Sequence, residues 1–82
     1  MGYHIKHIQK GVLGEISKIR EELEELEDAI EQNNRIMALI ELSDLIGAIE
    51  AYLEKEFTDF ILTDLFTMKT ATQKAFRTGD RT

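Results

Sequence analysis

Two pairs of acidic residues stand out in the stretch EELEELEDAIEQNNRIMALIELSD, residues 21–44. Glu22 and Glu25 form one pair, Glu41 and Asp44 the other, each spaced i,i+3, with Asn33-Asn34 between them. Residues three apart share a helix face, one turn above each other. If Asn33-Asn34 closes a helical hairpin, Glu25 and Glu41 stand roughly 12 Å from the turn, at 1.5 Å per residue. Glu22 and Asp44 stand roughly 16 Å from it by the same rise. The four carboxylates are then level, two on each of two antiparallel helices. Like charges gathered in this way repel unless a positive group sits among them. A hard divalent cation with oxygen ligands fits that need: Mg²⁺, with Mn²⁺ as the alternative.

The elements that must position these acids are helical. From Ile36 to Ile49 the chain reads IMALIELSDLIGAI, and Glu41 and Asp44 are its charged residues. Leu39, Leu42, Leu45, Ile46, Ile49 and Leu53 form a broad apolar arc, with Met37, Ala48 and Ala51 on the opposite side around the two acids. A helix apolar nearly all round is expected to be buried. Acids inside such a helix must be paired or bound to metal.

The first helix is expected from about Glu15 to Gln32, with an apolar stripe of Ile16, Ile19, Leu23, Leu26 and Ile30. Glu22 and Glu25 flank that stripe, whereas Glu21, Glu24 and Asp28 point further out, toward solvent. The second helix is expected from about Arg35 to Lys55, with Gly47 as a close-packing position where another helix crosses. The third begins between Thr58 and Thr63, at Thr58-Asp59 or Thr63-Asp64, and runs to about Thr78, where Gly79 ends it. Lys69 falls on the same face as Leu62, Leu65 and Phe76, so it snorkels or meets an anion. Residues 1–13 read as an arm packing Tyr3, Ile5 and Ile8, with Gly11 and Gly14 loosening the entry to the first helix. His4 and His7, spaced i,i+3, have the spacing of a metal-ligand pair, but the favoured reading makes them part of that arm.

Composition bounds the rest. Eighty-two residues without Pro or Cys, 43% hydrophobic and 32% charged, suit one all-α domain with a small core. The missing cysteines remove disulfides and thiolate zinc sites. No apolar run approaches the roughly 20 residues needed to span a bilayer, and MGYHIKHIQK lacks the apolar centre of a secretory signal. A cytoplasmic location is therefore expected. The net charge of −6 argues against binding nucleic-acid polymers through phosphates. It is unevenly placed: residues 15–31 carry eight acids against Lys18 and Arg20, while residues 65–82 carry Lys69, Lys74, Arg77 and Arg81 against Asp80. That asymmetry suits either complementary surfaces or a metal site facing a phosphate clamp. No glycine-rich phosphate loop, Ser-His-Asp set or Cys-His set is present, so any chemistry belongs to the carboxylates.

The spacing Glu21-Glu22-Leu23-Glu24-Glu25, fifteen residues, then Glu41-Leu42-Ser43-Asp44 resembles the EExxE…ExxD signature of the MazG-like, all-α nucleoside triphosphate pyrophosphohydrolases. The ending TMKTATQKAFRTGDR is similar to the last helix of short, phage-type members, so the resemblance covers about residues 12–81. It implies cleavage of a (deoxy)nucleoside triphosphate between its α and β phosphates, giving monophosphate and pyrophosphate. It implies Mg²⁺ held by Glu22, Glu25, Glu41 and Asp44, with Glu21 and Glu22 as catalytic carboxylates. Lys69, Lys74, Arg77 and Arg81 would contact phosphates. It also implies a homodimer or homotetramer with sites between subunits; a hairpin plus a C-terminal helix would become a full bundle on assembly. Two other readings stay open: a non-catalytic helical interaction protein, and a metal-dependent nucleotide-binding regulator.

Overall fold

A tight turn at Asn33-Asn34 sets the architecture. In the computed structural model, which describes residues 4–78, three helices form: α1 (Ile16–Glu31), α2 (Arg35–Glu56) and α3 (Leu62–Thr78). Asn33 takes a left-handed conformation, φ 56°, which Asn tolerates better than most residues. Its N–H bonds to Ile30 O and that of Asn34 to Ala29 O, the paired bonds of a Schellman motif closing α1. Asn34 then caps α2, its side chain accepting from Met37 N–H at 3.0 Å. Two adjacent asparagines thus stop one helix and start the next, and α1 and α2 pack against each other.

α3 starts inside the expected span between Thr58 and Thr63, at Leu62, one residue before the Thr63-Asp64 option. Asp64 reaches back to accept the Ile61 N–H at 2.9 Å, one half of a capping box, so the helix begins at Leu62. Leu62, Leu65, Phe66 and Lys69 of α3 line a shallow cleft with Ile46 and Ile49 of α2. Lys69 lies along that apolar surface as its position predicts, and its ammonium donates to Gln73. Gly79, expected to end α3, and Arg81 lie outside the described residues, as does Tyr3.

The expected burial of α2 is corrected in the single chain. Of its apolar arc, Leu53 is buried and Leu45 and Ile49 half-buried, but Leu39, Leu42 and Ile46 are exposed. Leu39 keeps 67% of its surface open to solvent, and Ile36 73%. On α1, Ile16, Leu23 and Ile30 are exposed as well. The seam between the helices is lined instead by the other sides: Ala29 and Glu22 of α1, Met37, Glu41 and Ala48 of α2. A hairpin of two helices can cover one side of each, and here the covered sides are those carrying small residues and acids.

Gly47 has nothing within 4 Å of the place a Cβ would occupy, so no helix crosses there among the described residues. Gly47→Ala is expected to stabilise the isolated chain by about 0.5–1 kcal/mol through helix propensity. Urea titration at low protein concentration reads that gain. A loss in its place would mean that an unseen neighbour occupies the space.

The arm before α1 is not loosely attached. Gly14 has φ 95° and packs on the Lys55 side chain, and a Cβ at Gly11 would lie 2.3 Å from the Ser17 carbonyl carbon. Both glycines therefore permit close approach, where flexibility was expected. Ile5 is 78% exposed and Ile8 half-buried, so apolar packing holds only part of the arm and polar contacts supply the rest. Among the described residues, no helix is long and apolar enough to cross a membrane.

Candidate metal centre

The hairpin brings the predicted acids together in overlapping threes, and among the described residues no group holds all four of Glu22, Glu25, Glu41 and Asp44. Glu22, Glu41 and Asp44 each place a carboxylate oxygen within 4.8 Å of the others. Glu21, Glu22 and Glu25 form a second such group, and His4, Glu25 and Glu41 a third. Glu22 and Glu41 are buried and common to two groups each, Glu25 is half-buried, and Asp44 sits exposed at the rim. Oxygens on opposite sides of a Mg²⁺ ion stand about 4.2 Å apart, twice the usual bond length.

The electrostatics are those of crowded carboxylates. Burial pushes the Glu22 carboxyl above its ordinary range, and the neighbouring Glu25 adds to this against the opposing pull of Lys18. Burial likewise raises Glu25, helped by the charge of Glu41. Lys18 Nζ bridges Glu21 and Glu22 at 3.2 Å from each and relieves part of the repulsion. Glu22 Oε2 and Glu41 Oε1 are nonetheless buried with no hydrogen-bond partner among the described residues. Each such orphan costs about 1–3 kcal/mol. Crowded, buried carboxyl oxygens are satisfied either by protons shared among them or by a hard cation, and the all-oxygen donor set fits Mg²⁺ or Mn²⁺.

Two acids expected to point toward solvent do not. Glu21 is 3% exposed and Asp28 2%. Glu21 accepts the Gly11 N–H at 2.8 Å and lies against Lys18 and, at 3.8 Å, Lys10. Burial alone would raise its pKa, but these donors outweigh it and hold the carboxyl below its ordinary range. Asp28 accepts from the Ile5 N–H, the Gln32 amide and His4 Nδ1, which likewise outweigh burial and keep it ionised. The arm supplies those donors by folding back along α1, and Lys6 extends the contact by pairing with Glu31.

His4 is the residue that sequence reasoning set aside. Its Nε2 lies 3.0 Å from Glu41 Oε2 and 4.0 Å from Glu25 Oε2. Burial would lower its pKa, but the hydrogen bonds to Asp28 and Glu41 and the charge of Glu25 win and raise it. A usable signal was present: residues 1–10 carry His4, Lys6, His7 and Lys10 and no acid, beside an acidic first helix. His7 is exposed and does not join the cluster.

The basic residues of α3 are not brought to the acids within one chain. Lys69, Lys74 and Arg77 are exposed, and among the described residues none pairs with a hairpin carboxylate.

These shifts fix a pH dependence. Glu22, Glu25 and His4 hold their protons more firmly folded than unfolded. Their stabilising effect is full below the ordinary values, 4.5 for Glu and 6.5 for His, and is lost as pH rises through the raised ones. Glu21 and Asp28 act oppositely: their contribution is present above the ordinary carboxylate range and lost as pH falls below it. The metal-free protein should therefore be most stable in mild acid and melt at lower temperature as pH rises from about 6 to about 8. Thermal melts in EDTA check this, and a midpoint climbing across that range contradicts it.

Comparison with protein-family models, curated proteins and solved structures finds no match for this chain.

Proposed function

We propose that the protein is a Mg²⁺-dependent nucleotide pyrophosphohydrolase that converts a (deoxy)nucleoside triphosphate to monophosphate and pyrophosphate. The observation that carries this reading is the pair of buried, unpartnered oxygens on Glu22 and Glu41, converging with Asp44 across the two helices. The EExxE…ExxD spacing of Glu21 to Asp44 supports it. Glu22, Glu25, Glu41 and Asp44 would hold the ion, with Asp44 at the open rim where phosphates arrive. Bound there, Mg²⁺ supplies Lewis-acid polarisation of the phosphates and a more acidic water. The water oxygen bonds to phosphorus, the bridging P–O bond between the α and β phosphates breaks, and pyrophosphate leaves. Glu22, whose proton affinity burial raises, suits acceptance of the water proton. Glu21, already engaged by Gly11 and Lys18, suits holding Lys18 and the arm in place.

Lys69, Lys74 and Arg77, with Arg81 beyond the described residues, would contact phosphates from another copy in a homodimer or homotetramer. The exposed Leu39, Leu42 and Ile46 support such an assembly, since apolar patches of this kind mark interaction sites. It would operate in the cytoplasm, where its substrate and Mg²⁺ are found. The same exposed leucines favour a second reading, a helical assembly protein without turnover.

Incubation with a panel of common and modified nucleoside triphosphates and Mg²⁺ or Mn²⁺, following pyrophosphate, tests the proposal. Release abolished by EDTA is the expected result. Metal-dependent nucleotide binding without product would make the protein a regulator; neither binding nor product would leave the assembly reading.

A further inference from the structure

We propose that His4 is a metal ligand. Its Nε2 joins the carboxylates of Glu25 and Glu41 in a nitrogen-containing site that favours a divalent transition ion, such as Mn²⁺ or Co²⁺, over Mg²⁺. This rests on the reading of the acidic cluster as a metal centre, and adds to it a ligand from a different part of the chain and a preference among ions.

The geometry is that of an oriented ligand. Asp28 Oδ2 lies 2.9 Å from His4 Nδ1. A carboxylate has no proton to give, so Nδ1 is the donor and Nε2 points to the opposite side of the ring. There it faces Glu41 Oε2 at 3.0 Å and Glu25 Oε2 at 4.0 Å. Adjacent donors around one ion stand about 3 Å apart and opposite donors about 4.2 Å apart, for bonds near 2.1 Å. The two distances are of that size before any adjustment. Asp28 is itself fixed, 2% exposed and held by the Ile5 N–H at 3.1 Å and the Gln32 amide at 2.9 Å. A carboxylate behind a histidine, setting its tautomer and ring plane, is the usual outer support of a histidine ligand.

The other oxygen of Glu41 separates a ligand from a mere pin for the arm. A pin would be complete with the hydrogen bond to Glu41 Oε2. Yet Glu41, 2% exposed, keeps Oε1 buried and unpartnered beside the same imidazole. In the metal-free protein Nε2 also donates, to Glu41 Oε2, so an ion entering here takes the free Glu41 oxygen and displaces the Nε2 proton. Imidazole suits the later first-row divalent ions such as Co²⁺ best, and Mg²⁺ takes oxygen almost exclusively; Mn²⁺ lies between them and so sets the mildest test of the preference.

The test uses the full chain stripped of metal, with Mn²⁺ alone and Mg²⁺ alone as probes. Calorimetric titration should show Mn²⁺ bound at least about tenfold more tightly than Mg²⁺. His4→Ala should weaken Mn²⁺ about 10–100-fold and leave Mg²⁺ within about threefold, and Asp28→Asn should weaken Mn²⁺ about tenfold. Pulsed electron paramagnetic resonance of the Mn²⁺-loaded wild-type protein should show coupling to a ¹⁴N nucleus, lost in His4→Ala. The wild-type spectrum stands by itself if a variant fails to fold. Wild-type protein that binds Mn²⁺ without nitrogen coupling overturns the assignment of His4 and leaves the acidic centre standing. If Glu41→Gln also leaves both ions bound as before, the acidic centre falls with it.

Discussion

Glu41→Gln should lower pyrophosphate release by about 10²–10³-fold or more, while raising the melting temperature of the metal-free protein. The substitution keeps the shape of the side chain and removes one negative charge from a group that places Glu22, Asp44, Glu25 and His4 around it. For catalysis the loss is direct, because Glu41, like Glu22 and Glu25, belongs to two of the three clusters, and it is the buried α2 member of both. For stability the sign reverses. Glu41 raises the pKa of Glu25 by its charge, so its neutralisation relieves a repulsion; the melt is read at a pH high enough to leave His4 neutral, where no charged pair with Glu41 is lost. The new amide N–H can also donate to a carboxylate nearby. A gain of about 1 kcal/mol moves the midpoint of a domain this size by about 4–8 °C. In wild type, Mg²⁺ should raise the midpoint, and in Glu41→Gln that rise should vanish. Melting curves with Mg²⁺ or EDTA, together with a pyrophosphate assay, read all of this. Activity that survives the substitution would remove the carboxylate cluster from the chemistry.

Leu39→Lys combined with Ile46→Lys should convert an assembled protein to monomers and lower its activity with it. The two residues lie seven apart on α2, so they share a face, and both are exposed in the single chain. At Leu39 such a substitution usually changes the stability of a lone chain by less than about 0.5 kcal/mol; Ile46 also lines the cleft against α3, so a melting curve at low concentration checks that the variant monomer stays folded. The effect on a helix–helix interface is far larger, because lysine ammonium groups would then have to be desolvated against a partner. Sedimentation velocity of wild type and variant decides the matter. A wild-type protein that sediments as a monomer at all concentrations would remove both the assembly and the phosphate contacts supplied by a second copy.

Local features of the chain were legible before any coordinates. The hairpin turn follows from Asn33-Asn34, because asparagine tolerates the left-handed conformation and caps well, and each asparagine does one of those jobs. α1 and α2 end within one residue of the expected positions. The i,i+3 acids face across the seam, as their distances from the turn require. What periodicity does not contain is the identity of whatever covers an apolar face. The arc from Leu39 to Leu53 was expected to be buried, yet the hairpin covers the side with Met37, Glu41 and Ala48. Nor does local pattern contain pairings across long stretches of chain. His4 meets Asp28 and Glu41 at separations of 24 and 37 residues, and no propensity or spacing rule reaches that far. Glu21 and Asp28 were misplaced for the same reason, since the arm that buries them lies elsewhere in the chain.

Two backbone amides of that arm have a use of their own. The N–H of Gly11 ends on Glu21 and that of Ile5 on Asp28, one step from Glu22 through Lys18 and one step from Glu41 through His4. Their resonances are therefore built-in probes, one for each side of the carboxylate cluster. Loading of the centre should move both signals and slow their exchange with deuterium, whether or not a nucleotide is ever turned over.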